Sequence, residues 1–459
     1  MRSLDISEYA LFIALLIGFL TPFDLSAVNI ALPDIANEFS LDAVSLSWIS
    51  SIYLLTSAAF LVPFGRIGDI SGRKRILSTG VAVFTLSSGL MILSLSSGML
   101  LFSRLLQGIG AAMIYGTAVA ILTSVTALSR RGRVLGIYTT SVYLGLSAGP
   151  FIGGFLTSIF GWRSIFFINV PLGLIILLLI WKFFRTEWVD APGEKFDLTG
   201  AVLYGLSLTA VMIGFSELPN VTGIIALICG VLLSGLFIFK EYHEKFPLIR
   251  ISMFIHNRVF ACSNAAALIN YGSTFAITFF LSLYLQYIRG FDSRDAGLIL
   301  VIQPIIQAIF SSYAGNLSDR VEPARIASIG MVITTVGLVA LSLISADTSL
   351  YILCIILAVL GLGLALFSSP NTNAIMSSVE KKDYGVASGT LGTMRLVGQM
   401  FSMGVAMMIL AITVGRVEIT AEVSGQLMSA MVLGFQAFSV LCVLGIFFSM
   451  VRGNVRLTR

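Results

Sequence analysis

The sequence predicts an all-α polytopic membrane protein: two six-helix bundles with two extra transmembrane helices between them, fourteen spans in all. Three observations carry this. First, 57% of the 459 residues are hydrophobic and only 11% are charged, with a mean hydropathy of +0.97. A soluble domain carries about 25% charged residues and buries at most about three quarters of its surface, so this much apolar surface needs lipid. Second, apolar runs fall at 9–32, 45–64, 76–96, 99–124, 134–158, 164–184, 198–215, 221–240, 259–287, 296–314, 325–345, 349–370, 391–414 and 429–450. Each is of the length an α-helix needs to cross a bilayer, and far longer than the ~10 residues of a barrel strand. Third, the chain repeats itself. Gly315-Asn316-Leu317-Ser318-Asp319 follows its apolar run as Gly65-Arg66-Ile67-Gly68-Asp69 follows its own, and the 250-residue offset also relates the runs at 9 and 259. Such duplication is the construction of transporters whose halves rock about a central site.

The expected divisions are a first bundle over 1–185, a loop with two inserted helices over 186–245, and a second bundle with a short tail over 246–459. In the first run, residues 11–20 have the look of a signal-peptide core. No cleavage site follows and the run resumes beyond Asp24, so it reads as a retained helix. Residues 65–75 form a charged, glycine-rich hairpin between the second and third runs. Gly65, Gly68 and Gly72 allow a sharp reversal, and Asp69 and Arg73 stand four apart, close enough to pair on a helical turn. The fourth run carries Arg104, a cation that costs roughly 2.5–3.5 kcal/mol in hydrocarbon unless paired or hydrated. In the fifth, Gly145, Gly149 and Gly153 line one face for close helix packing, and Pro150 kinks it. Thr186–Asp197, with Ala191-Pro192-Gly193, reads as an exposed loop leading into the inserted pair.

Charge fixes the orientation. With connections assigned alternately to two sides, 22 of the 28 Lys and Arg fall on one side and 4 on the other; Arg104 and Arg395 lie inside runs. The positive side stays in the cytoplasm during insertion, so both termini are expected there. The net charge of +5 belongs to this asymmetry and does not indicate nucleic acid. Cys229, Cys262, Cys354 and Cys442 lie singly in apolar segments, so neither a disulfide nor a metal site is indicated. Gly145, Ser147 and Gly149 match a hydrolase nucleophile pattern. That pattern needs a strand–turn–helix and a nearby histidine, and His243 and His256 belong to another connection. No phosphate-binding Gly-x4-Gly-Lys-[Ser/Thr] occurs, so transport would draw on an ion gradient or run passively. No cofactor is called for.

Several stretches resemble the major facilitator superfamily. Gly65-x-x-x-Asp69-x-x-Gly72-Arg73-Lys74-Arg75 is similar to its loop between the second and third helices. Arg104-x-x-Gln107-Gly108-x-Gly110 resembles its fourth-helix motif, and Gly145 to Gly154 its antiporter signature in the fifth. Phe23-Asp24-Leu25-Ser26-Ala27-Val28-Asn29-Ile30-Ala31-Leu32-Pro33 and Trp162-Arg163-Ser164-Ile165-Phe166-Phe167-Ile168-Asn169-Val170-Pro171 resemble its fourteen-helix drug:proton antiporter branch. The loop departs from the family where Ile70 replaces the usual cation after the aspartate, and the second copy keeps Asp319-Arg320 but continues as Val321-Glu322-Pro323.

The resemblance implies the major facilitator fold and proton-coupled efflux of lipophilic, cationic drug-like compounds by alternating access. A transporter of a specific metabolite, lipid or anion is the alternative on the same fold. A receptor or channel would need a sensing domain or a ring of selectivity groups, and neither is evident. Gly65, Asp69, Gly72 and Arg73, with Asp319 and Arg320, would form a conformational latch, and Gly145, Gly149, Pro150 and Gly153 the antiporter motif. Asp24 is the one acid well inside a first-half run, and desolvation disfavours the charged form of an unpaired carboxylate there. It is the candidate proton-coupling group. Arg104 would polarise the cavity or meet the first helix. Asn29, Gln107 and Glu217 are candidates for substrate contact. The expected partners are a small-molecule substrate, protons and the bilayer of the cell membrane, with the chain acting as a monomer.

Overall fold

The structure is a computed structural model that describes residues 6–127, 130–318, 320–380 and 383–453. Asp319, one of the expected latch residues, lies outside the described residues. Fourteen helices are long and apolar enough to cross a membrane. They are α1 (Ile6–Phe39), α2 (Ala43–Ser71), α3 (Arg73–Ile92), α4 (Ser97–Val125), α5 (Arg131–Phe160), α6 (Ser164–Phe183), α7 (Leu198–Glu217) and α8 (Val221–His243). A short helix, Ile251–His256, precedes α9 (Arg258–Ile288), α10 (Ser293–Ser318), α11 (Pro323–Leu341), α12 (Leu350–Ser377), α13 (Tyr384–Thr413) and α14 (Ser424–Val451). Most helices outrun the apolar stretches that announce them. Polar turns at the membrane surface keep their backbone hydrogen bonds, so α1 continues past Pro33 to Phe39 and α13 begins at Tyr384.

The caps follow from sequence. Asp42 accepts from the backbone N–H of Val44 and Ser45 at 2.9 Å to start α2, Ser96 caps α4, and Asp197 caps α7 through Gly200. Gly72 separates α2 from α3 at φ 119°, a left-handed backbone that a residue with a Cβ rarely adopts.

In the first bundle α1 runs along α5 with backbones almost touching. A Cβ on Gly145 would sit 2.4 Å from the Phe19 carbonyl oxygen, and one on Gly149 2.5 Å from the Ser26 Cβ. A Cβ on Gly153 would sit 2.7 Å from that of Ala27. Ser26 Oγ and Ser141 Oγ complete the seam by donating to the carbonyls of Leu146 and Leu15. The turn of α5 at Pro150 looks the other way, into the second bundle. A Cβ on Gly154 would sit 2.4 Å from the Ser293 carbonyl oxygen, and one on Gly297 of α10 would meet that of Pro150 at 2.1 Å. The same helix is therefore fixed to α1 on one face and closed against α10 on the other. The inserted pair α7–α8 lies beside this assembly, with Phe215 of α7 edge-on to Phe401 of α13 at 5.4 Å.

The first described helix starts and the last one ends on one face of the molecule, called the terminal face; the other is the distal face. The two bundles are joined at the distal face. The Ala43 N–H donates to the Val417 carbonyl at 3.1 Å, Ser293 Oγ donates to Asp34 at 2.8 Å, and Gln286 Nε2 donates to the Ile30 carbonyl at 2.9 Å. Gln286 lies in a π-helical turn, Tyr284–Ile288, that ends α9. Around mid-height, by contrast, Tyr115, Tyr138, Tyr271 and Arg395 are partly exposed, and toward the terminal ends of α5 and α13 a Cβ on Gly136, Gly385 or Gly389 would meet nothing within 4 Å. With the halves joined at the distal side and those glycines unobstructed at the other, the exposure opens toward the terminal face.

The seam supplies a test. Gly149→Val must push α1 and α5 apart, at a cost of about 3 kcal/mol. Leu146→Val, one turn away, should cost less than about 1.5 kcal/mol. Thermal unfolding of both variants in detergent should show a much larger drop for Gly149→Val, and equal shifts would mean the seam is looser than described.

Candidate functional site

Asp24 lies in the middle of α1 and is fully buried. Its Oδ2 accepts from Arg104 Nη1 of α4 at 2.8 Å, and its Oδ1 from Gln107 Nε2 at 3.0 Å and Asn169 Nδ2 of α6 at 2.6 Å. Arg104 also has no exposed surface. It donates further from Nε to the Ile49 carbonyl at 3.2 Å, bonds Gln107 Oε1, and lies 4.5 Å over the Tyr53 ring. Gln107 reaches Ser88 Oγ of α3 at 3.0 Å. Asn29, one turn along α1, accepts from Ser50 Oγ of α2 at 2.8 Å.

This network ties α1, α2, α3, α4 and α6 together through groups that would each be costly alone in hydrocarbon. Of the two placements open to Arg104, it meets the first helix; with no exposed surface it does not line the open space, and it does not snorkel to a helix end. Three atoms of the cluster, Arg104 Nη2, the Tyr53 hydroxyl and Asn169 Oδ1, are buried with no hydrogen-bond partner among the described residues. Tyr53 stands beside Tyr115, which borders the open space between the bundles.

The remaining sequence candidates are dispersed. Glu217 sits at the distal end of α7, where Arg416 pairs with it, away from the central space. The hairpin is clasped by the segment 186–197, which was expected to be an exposed loop. Arg73 Nε donates to Asp69 Oδ1 at 2.8 Å, its Nη2 stands 2.6 Å from Asp190, and its Nη1 reaches Ser124 at 2.7 Å. The Asp69 carbonyl accepts the N–H of Asp190 and of Ala191, Glu187 accepts the N–H of Lys74, and Arg66 pairs with Glu194. Ala191 is consequently buried. A Cβ on Gly72 would strike the Glu187 carboxyl at 2.5 Å, so glycine is needed there for space as well as for φ. Gly65 packs on Gly116 of α4.

The Trp162–Pro171 stretch has its own task. Trp162 Nε1 and both Nη atoms of Arg163 converge on the Glu38 carboxylate at 2.6–2.7 Å, fixing the distal end of α1 against α6.

The sequence pattern of the Major Facilitator Superfamily matches residues 14–403 and again 263–456. The chain belongs to the major facilitator superfamily. It is similar to the riboflavin transporter RibZ of Clostridioides difficile (strain 630), 32% identical over 403 residues that cover 87% of each chain. It is also similar to multidrug resistance protein Stp of Mycobacterium tuberculosis (strain ATCC 25618 / H37Rv), 28% identical over 399 residues, 86% of this chain and 74% of the relative. Among solved structures, a bacterial homologue of the human lysosomal transporter Spinster, inward-facing and unoccupied, superposes with a TM-score of 0.70 at 17% identity. That match covers 98% of this chain and 97% of the other, and the likeness is one of fold.

Several residues of this transporter escaped the sequence reading. Asn169 was visible only as part of a motif, and its bond to Asp24 crosses 145 positions. Arg452 counted as a surface cation. It is fully buried beneath α11, donating to Ala324 O, Ser449 Oγ, Ser263 Oγ and Asn371 Oδ1. The tyrosines that face Arg395 carry no spacing that would announce them.

Arg104→Ala leaves Asp24 buried without its cation and should destabilise the folded transporter by about 3–5 kcal/mol. Asp24→Asn with Arg104→Gln removes both charges and should recover much of that loss. Thermal unfolding of the two variants decides it, and equal destabilisation would mean that the ion pair is not what holds the cluster. At the hairpin, Asp69→Asn keeps the backbone clasp and an acceptor for Arg73 but removes the charge that pairs with it. Transport should slow severalfold in protein that unfolds at the parental temperature; parental transport would leave the hairpin a topology signal alone.

Proposed function

We propose that this transporter exports lipophilic, drug-like small molecules across the cell membrane in exchange for protons, with Asp24 as the coupling carboxylate. Its termini and the open end of the central space face the cytoplasm. The observation that supports this most is the buried Asp24–Arg104 pair, joined through Tyr53 and Tyr115 to the space that opens at the terminal face. The 22-to-4 division of cations supports the orientation. The multidrug resistance relative supports the substrate class, and the riboflavin transporter shows that relatives also carry a specific metabolite.

In the cycle we infer, substrate entering the open space from the cytoplasm displaces the proton of Asp24, which leaves to the cytoplasm. Ionised Asp24 is the form that pairs with Arg104, so loss of the proton tightens α1 against α4 and α6. A proton arriving from the distal side frees Arg104, Gln107 and Asn169 from the carboxylate. The groups they release then rearrange with the two helix seams of α5. The hairpin at 65–75 acts as the latch on the terminal side, and the chain works as a monomer.

Inside-out vesicles with an imposed pH gradient test the reading. Asp24→Asn mimics the neutral form, so it should abolish gradient-driven export while retaining equilibrium exchange of substrate. Continued uphill export by the variant, with protons still moving on substrate addition, would contradict the assignment.

A further inference from the structure

The central space holds a cation that nothing above has used. Arg395 lies near the middle of α13, partly exposed to the open space, and has no ion-pair partner among the described residues. Tyrosines surround it instead. Its guanidinium stands 5.3 Å over the Tyr271 ring of α9. Tyr143 of α5 and Tyr115 of α4 lie within its electrostatic reach, and so does Tyr138 of α5. Tyr143 in turn sits beside Ser311 of α10. Both bundles contribute, so the group sits where the two halves face each other.

The charge balance of this layer is one-sided. Asp24 is the acid at this depth, and its three hydrogen bonds are all made inside the first bundle. A cationic substrate in the central space would therefore meet Arg395 with no carboxylate to offset it. An arginine stays protonated in any protein setting, and an unpaired one at mid-bilayer is costly unless water or an anion answers it. Its planar fork bonds a carboxylate or phosphate bidentately while its face lies on an aromatic ring. Tyrosine rings add flat apolar surface for stacking and a hydroxyl at the edge.

We propose that Arg395, stacked over Tyr271 with the partly exposed Tyr115 and Tyr138 facing the same space, is the specificity-determining cation of the central site, and that it selects planar aromatic compounds bearing a negative charge. This rests on the reading of the central space as the substrate path and replaces the expectation of a cationic substrate. The tyrosines hold the ring system and Arg395 holds the anionic group. Rejection of lipophilic cations follows from like charge.

Two dyes with the same xanthene core and opposite charge test this: fluorescein, an anion at neutral pH, and tetramethylrhodamine methyl ester, a cation. Binding is read by fluorescence polarisation on purified protein in detergent, without a gradient. The parent should bind fluorescein at least about tenfold more tightly. Arg395→Gln should remove that preference without lowering the unfolding temperature, and Arg395→Lys should keep part of it. If Arg395→Gln does not fold, the parent's preference and its partial retention in Arg395→Lys decide. Equal binding of the two dyes, preference for the cation, binding of neither, or an unchanged preference in Arg395→Gln would overturn the proposal. Transport in inside-out vesicles separates it from the export reading. Proton-driven movement that ignores dye charge sinks the specificity claim alone, and an Arg395-dependent preference without any proton-driven movement sinks the export reading alone.

Discussion

A carboxylate and a guanidinium without any exposed surface, placed in helices that cross a bilayer, persist only if each satisfies the other. That constraint shapes the first bundle. Asp24 draws its three donors from α4 and α6, and Arg104 adds an acceptor from α2. Lipid tails are as apolar as leucine, so burial of greasy surface gives helices little reason to choose one partner over another. The polar cluster and the glycine seams supply the choice. Where the cluster holds α1 by its charge, the Gly145–Gly149–Gly153 face holds it by close approach of backbones.

Movement can be read from the same contacts. The distal closure consists of few, small elements: two glycines against carbonyls, the Ala43 N–H on the Val417 carbonyl, Ser293 on Asp34, and a π-helical turn whose Gln286 reaches α1. π-turns inside helices are frequent at functional sites. Because α5 carries both the fixed seam to α1 and the closing contact to α10, a shift of α1 has a direct path to the distal closure. The clasp of the hairpin by residues 186–197 belongs to the terminal face, where it ties the α2–α3 turn to the segment that leads into the inserted pair.

Much of the architecture was legible in the sequence because membrane helices must satisfy their backbone internally and so announce themselves as long apolar runs. Fourteen runs became fourteen helices, and the resemblance at five motifs placed the chain in its family. What was hidden lies between helices. The motif arginine could be read as cavity-facing or as meeting α1, and only the fold brings Arg104 to Asp24 across 80 positions. Arg452 looked like an ordinary terminal cation, yet the end of α14 turns it beneath α11. The segment around Ala191 carried every mark of a free loop, since Pro and Gly signal a turn equally well whether or not it docks. The tyrosines about Arg395 come from three helices and both bundles, so no local pattern could have assembled them.

The account turns on whether Asp24 exchanges a proton. Infrared difference spectroscopy on the purified transporter, comparing acidic with alkaline samples, observes the carboxyl directly. The account predicts a protonated-carboxyl band that grows as pH falls and is absent from Asp24→Asn. A spectrum in which Asp24→Asn changes nothing, because the carboxylate stays ionised across the whole range, would contradict it and leave the Asp24–Arg104 pair a structural fastener.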